Sequence, residues 1–205
     1  MITLAGCGPG SPELITPAVR HAVAAARLLA GSQRLLDCFP EAFAEKVLYS
    51  GDTPALLESL ARGPRPACVL VSGDPGLCSL ARPVIERFGR KVCRSIPGVS
   101  SVQAACAAAQ LDWLGVAVLS CHGRRPPLID PGALRTAPVV AILGGSSALP
   151  WIVGLGAQLA DGRRAIVCER LGLAGERVRE MPVAKLGASS PDALSVILLV
   201  KDSHE

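Results

Sequence analysis

Short aliphatic runs that stop abruptly at clusters of small residues dominate the first half of this chain. Cys68–Val71 is apolar at every position and shows no alternation. A strand of that kind needs cover on both faces, which a parallel sheet between two helix layers provides. Ile2–Cys7 runs straight into Gly8-Pro9-Gly10, and Val92–Ile96 runs into Pro97-Gly98. Further short strands are expected at Leu28–Gly31 and Val47–Tyr49. Between the runs the spacing is helical: Val19, Ala22, Val23 and Ala26 share one face of Pro17–Leu29, and Pro54 sits in the first turn of Thr53–Ala61. Leu80–Phe88 and the Ala-rich Ser101–Ala109 complete a β-α-β-α order, which predicts a parallel sheet with helices on both sides. After 111–115 the pattern changes to Val116–Ser120, Val139–Leu143, Ala165–Cys168, Val178–Val183 and Ser195–Val200, with one clear helix at Pro150–Leu159. We therefore expect an α/β chain with domains at 1–112 and 113–205, the second the smaller.

Composition narrows what such a chain does. Half of its 205 residues are apolar and 19% are charged, which excludes disorder. Aromatics are 3%, which argues against base-stacking platforms for single-stranded nucleic acid. Net charge is +4 with no basic tract, but only four of the 21 basic residues are Lys (Lys46, Lys91, Lys185, Lys201). The rest are Arg, whose planar fork suits carboxylates and phosphates, although arginines also coat ordinary surfaces. Eight cysteines include no C-x-x-C, and with three histidines (His21, His122, His204) they assemble no zinc spacing, so no metal is expected. Free thiols in a reducing compartment fit this pattern. The amino terminus reads as a strand and not a signal peptide. Thr136–Ala160 is uncharged over 25 residues, but Pro138, Gly144-Gly145, Ser146-Ser147 and Pro150 break it into strand, loop and helix. A cytoplasmic protein without a membrane span is expected.

Three loops carry the chemical interest, because the carboxyl end of a parallel strand is where open α/β sheets hold ligands. The first is Gly6-Cys7-Gly8-Pro9-Gly10-Ser11-Pro12-Glu13. It is not a dinucleotide fingerprint, since Ser11 stands where the third glycine belongs. Nor is it a phosphate-cradling loop, since no lysine precedes Lys46 and two of its residues are prolines without an amide. The second is Ser72-Gly73-Asp74-Pro75-Gly76-Leu77, whose small residues let a flat ligand approach the backbone. The third, Ile96-Pro97-Gly98-Val99-Ser100-Ser101, carries a hydroxyl pair that taken alone reads as a cap for the next helix.

In this order and spacing, Gly6-Cys7-Gly8-Pro9-Gly10 with Leu14-Ile15-Thr16, Ser72-Gly73-Asp74-Pro75, and Pro97-Gly98-Val99-Ser100-Ser101 resemble the signature loops of the tetrapyrrole methylases, over essentially the whole chain. The resemblance implies a class III S-adenosylmethionine-dependent methyltransferase. Its fold would be two α/β domains, a parallel sheet followed by a smaller mixed one, in a homodimer that holds the folded donor in the cleft between domains. It places Pro9, Ser72, Gly73, Asp74, Leu77, Ser100 and Ser101 around the donor, with Leu143 against the adenine and Leu171 or Gly172 closing the pocket. Gly8, Gly10, His122 and Arg124 fall to the substrate. Gly10-Ser11-Pro12-Glu13-Leu14, Ser101-Val102-Gln103-Ala104-Ala105, His122-Gly123-Arg124 and Cys168-Glu169-Arg170-Leu171-Gly172 are similar to the family members that methylate carbon 5 of precorrin-7, or its cobalt form, in cobalamin synthesis. Two positions depart from that pattern. Arg170 stands where those enzymes usually carry Asn, and Cys78-Ser79 stands where relatives often have an aromatic and a glycine.

Methyl transfer from a sulfonium is an in-line displacement in which positioning is the main task. An electron-rich ring carbon needs no strong base, which suits a chain with few histidines. His122 is the one candidate for proton removal, against the plainer reading of an exposed side chain. Ring acetates and propionates would account for the Arg excess. Rival readings are a related enzyme acting on another ring carbon, a protein side chain or ribosomal RNA, and a non-catalytic module that binds the donor. No second methyltransferase-decarboxylase segment is present, so by resemblance a separate protein would methylate carbon 15. Nucleic-acid and membrane partners are not expected.

Overall fold

The computed structural model describes residues 1–121, 131–144, 146–159 and 162–202. By contacts the chain divides into Met1–Ser100 and Ser101–Glu205.

The first unit holds five strands: β1 (Ile2–Gly6), β2 (Leu28–Gly31), β3 (Glu45–Leu48), β4 (Ala67–Val71) and β5 (Cys93–Ile96). They are ordered β3-β2-β4-β1-β5 and every pair is parallel. Every residue of β1, β2 and β4 is buried, whereas the edge strands β3 and β5 are largely open. That contrast is why β4, at the centre, reads as an unbroken apolar run. Alternation then splits their side chains between two cores. Ala5, Leu29, Cys68 and Leu70 pack with Val19, Val23, Leu35, Leu36 and Phe39, from α1 (Pro17–Ala24), α2 (Gln33–Leu36) and the turn after it. Leu4, Ala30, Val69 and Val71 face Leu56, Leu60, Ala81 and Val84, from α3 (Thr53–Arg62) and α4 (Ala81–Phe88). Burying each large aliphatic contributes about 1.5–3 kcal/mol. Caps fix where helices start: Thr16 Oγ1 accepts from the Val19 amide at 3.3 Å and Asp52 Oδ1 from the Ala55 amide at 2.9 Å. Helix α1 ends at Ala24, short of the expected Leu29, because Leu28 and Leu29 are taken by the sheet core.

The second unit holds β6 (Ala117–Ser120), β7 (Val139–Leu143), β8 (Arg163–Glu169), β9 (Arg177–Pro182) and β10 (Ser195–Lys201), ordered β6-β7-β10-β8-β9. Only the β6–β7 pair is parallel, so the sheet is mixed. Its helices are α5 (Ser101–Ala108), α6 (Pro131–Leu134) and α7 (Leu149–Gln158). One face packs Val140, Ile142, Val167, Ile197 and Leu199 against Ile152 and Leu155 of α7 and against Val183 and Leu186. Helix α5 packs on β10, and the Cys168 thiol lies 3.9 Å from the Ala105 carbonyl. Those contacts place α5 in the second unit, ahead of the boundary expected near Asp112, and the second unit is not the smaller of the two. The uncharged Thr136–Ala160 stretch divides into β7, a 3-10 turn at Ser146–Ala148 and α7. Among the described residues no helix is long and apolar enough to cross a membrane.

Arg163 anchors this unit from inside. Its guanidinium donates to the carbonyls of Ala137 (2.8 Å), Leu199 (3.1 Å), Leu134 (3.3 Å) and Arg135 (3.3 Å). Burial lowers its pKa from the ordinary Arg value. Three of these carbonyls, of Leu134, Arg135 and Ala137, lie at or just after the end of α6, where no helical partner is available.

Candidate functional site

Parallel pairing sends the loops after β1, β4 and β5 to one edge of the first sheet, and the backbone there interlocks. The Cys7 amide donates to the Val71 carbonyl at 2.9 Å. Gly8 and Gly73 then exchange bonds, Gly73 N–H to Gly8 C=O at 2.9 Å and Gly8 N–H to Gly73 C=O at 3.3 Å. Both have positive φ, +73° and +69°, which glycine adopts without strain. Gly98 closes the third side. A Cβ there would stand 2.5 Å from the Gly73 carbonyl oxygen and 2.6 Å from that of Gly6. Asp74 fastens two loops with one carboxylate: Oδ1 accepts from the Gly76 amide at 2.7 Å and Oδ2 from the Gly98 amide at 3.0 Å.

The residues assigned from the first loop sit in this assembly, Gly8 and Gly10 buried and Pro9 half-buried. Arg20 steadies them by donating to the Pro12 carbonyl at 2.7 Å. Ser72 is exposed, Leu77 half-buried and Ser100 buried. Cys7 is buried at the base of the loop, and desolvation pushes its thiol up to about 12. It is therefore a neutral space-filler and no nucleophile at neutral pH. Among the described residues no cluster of His, Cys, Asp and Glu could hold a metal ion.

Sequence reasoning passed over Arg34. This residue lies on α2, just past the carboxyl end of β2, and β2 neighbours β4. Its Nη2 donates to Ser72 Oγ at 3.1 Å. Its Nη1 is buried with no hydrogen-bond partner. The available signal was its position directly after an apolar run, the same place occupied by the three loops.

A second group forms at one end of the other sheet. Leu143 and Cys168 both pair with Val196, on opposite sides of β10, so the ends of β7 and β8 lie level. Leu143 is buried there, and the Cys121 amide donates to its carbonyl at 2.7 Å. Beyond β8 come buried Leu171 and half-buried Gly172, whose amide donates to Glu176 at 2.6 Å. Glu169 braces the turn. Fully buried, it accepts from Arg177 (3.1 Å), from Arg179 Nε (3.1 Å) and from the Asp192 amide (3.0 Å). Ser101 opens α5 in the same unit. His122 and Arg124 lie outside the described residues.

The sequence profile of the Tetrapyrrole (Corrin/Porphyrin) Methylases matches residues 1–187. The cobalt-precorrin-7 C(5)-methyltransferase of Salmonella typhimurium is 32% identical over 201 residues, covering 97% of this chain and 98% of that protein. Among solved structures, the methyltransferase CobJ aligns with a TM-score of 0.82 at 22% identity, over 98% of this chain and 93% of CobJ. The uroporphyrin-III C-methyl transferase of Thermus thermophilus, solved with S-adenosylhomocysteine, aligns with a TM-score of 0.78 at 19% identity, over 97% and 91%. At those identities the two structures speak for the fold, a parallel five-stranded sheet followed by a mixed one. The profile spans most of the sequence and the Salmonella enzyme nearly all of it, so the chain belongs to the tetrapyrrole methylase family, methyltransferases that take their methyl group from S-adenosylmethionine.

Proposed function

We propose that this enzyme methylates carbon 5 of precorrin-7, or of its cobalt form, in cobalamin biosynthesis. The observation that carries the reading is the near end-to-end likeness to the Salmonella enzyme. The rim of the first sheet fits the donor. Its second loop is small at Ser72, Gly73 and Gly76, and a buried donor of Arg34 is unclaimed. When bound, S-adenosylmethionine supplies an electrophilic methyl on a sulfonium sulfur. In this reading Pro9, Ser72, Gly73, Asp74, Leu77, Ser100 and Ser101 hold it, with Leu143 and Leu171 or Gly172 on the adenine. Gly8, Gly10, His122 and Arg124 meet the ring.

The chain's contribution is positioning. Orienting two reactants in well-aligned systems is worth up to about 7–11 kcal/mol, and the interlocked loops provide a rigid floor for it. A homodimer, and a separate protein for carbon 15, belong to the same reading. Mass spectrometry of purified protein with donor and precorrin-7, with and without cobalt, tests it. One methyl gained at carbon 5 is expected. No gain, or a methyl on another carbon, overturns it.

A further inference from the structure

We propose that Arg34 and Ser72 form a carboxylate clamp at the rim of the first sheet; the motif resemblance gives Ser72 to the donor and leaves Arg34 without a role. The argument starts from what the arginines of this chain do elsewhere. Arg163 spends its guanidinium on main-chain carbonyls, and Arg177 and Arg179 spend theirs on Glu169. Among the described residues two other arginines have a buried nitrogen without a hydrogen bond, and each has a compensating neighbour. Arg65 lies over the Phe88 ring at 5.9 Å, and Arg164 faces Glu180 at 3.2 Å. Arg34 has neither. It belongs to none of the ion pairs of the described residues. The carboxylate of Asp74, in the same loop as Ser72, is already engaged at both oxygens by backbone amides.

Among the described residues its guanidinium makes one hydrogen bond, to a neutral and exposed hydroxyl, and the buried Nη1 of this half-buried side chain is left unserved. The geometry makes sense once an anion is present. Ser72 Oγ accepts from Nη2 and keeps its own hydrogen to donate, while Nη1 has a free N–H. A guanidinium with an adjacent hydroxyl donor is a pair that suits a carboxylate. The clamp sits beside the loop that exchanges bonds with Gly8, so its ligand is a small organic acid lying along those loops. Given the proposed function, on which this inference rests, two carboxylates qualify: that of the methionine end of the donor, and an acetate or propionate of the ring.

The test uses the full-length protein and Arg34→Gln, with Arg34→Lys as the variant that keeps charge but loses the fork. Equal thermal midpoints establish that the variants fold. Titration calorimetry with S-adenosylhomocysteine and with 5′-methylthioadenosine, which lacks the amino-acid end, reads the donor arm. Quenching of uroporphyrin fluorescence reads the ring arm. If the clamp holds the donor, R34Q weakens S-adenosylhomocysteine roughly ten- to a hundredfold and leaves methylthioadenosine unchanged. If it holds the ring, uroporphyrin affinity falls by that factor and the donor arm stays flat. R34K recovers only part of the loss in either case. Wild-type binding that both variants leave unchanged overturns the clamp alone. Wild-type protein that binds neither probe overturns the proposed function, and the clamp with it.

Discussion

Arg170 occupies a left-handed backbone position, with φ +53°, directly after the buried Glu169. Such a position costs an ordinary L-residue roughly 1 kcal/mol, and Asn visits it more readily. The motif resemblance described above expects Asn at this position. Here the side chain compensates, with Nε donating to the Ala174 carbonyl at 2.9 Å and Nη1 3.6 Å from Asp192. The second contact is exposed and adds little. Arg170→Ala keeps the strain and loses the hydrogen bond, so we expect it to cost about 1 kcal/mol. Arg170→Asn relieves the strain while losing the same bond, and should stay within about 0.5 kcal/mol of wild type. Urea denaturation distinguishes the two, and equal losses would remove backbone conformation from the explanation. At Arg170 the side-chain hydrogen bond to Ala174 thus offsets the conformational demand of the turn.

At the scale of elements, the three loops act as a single piece because glycine lets their backbones touch. Gly98→Ala should destabilise by about 1–3 kcal/mol, since its Cβ meets two carbonyl oxygens at overlapping distances, and should abolish binding of S-adenosylhomocysteine. Unaltered stability and affinity would show that the loops are not locked together there. Much of this was legible in sequence. β4 and β7 are unbroken apolar runs, and the small-residue loops stand directly after strands. The Arg34–Ser72 contact was not legible, because it depends on β2 lying next to β4 with β3 outside it. Chain order does not reveal that arrangement. Nor did sequence reveal that α5 packs on β10, since an Ala-rich helix fits many surfaces. The bond from Gly98 to Asp74 spans two loops and was hidden for the same reason.

For the molecule as a whole, buried thiols set an alkaline limit. Cys7, Cys68 and Cys168 are each pushed up to about 12 by burial, from an ordinary value of 9.0. Cys93, Cys106 and Cys121 move in the same direction for the same cause. Above pH 9.0 an unfolded thiol ionises while its folded counterpart keeps the proton. The unfolded state then binds fewer protons, so stability is fully present below that pH and is lost as pH rises toward about 12. Each of the three can remove up to about 1.4 kcal/mol per pH unit. Urea midpoints that are flat to about pH 9 and then fall steeply are expected, and a flat profile through about pH 10.5 would contradict it. Neither sheet borrows a strand from the other unit: β5 ends at Ile96 and β6 begins at Ala117. The ribosome therefore delivers every strand of the parallel sheet, and every glycine of its rim, before the first strand of the mixed sheet. Since long-range parallel pairing is slow and amino-terminal units fold first during synthesis, the half that carries the interlocked loops has the time it needs, with no later strand required to complete it.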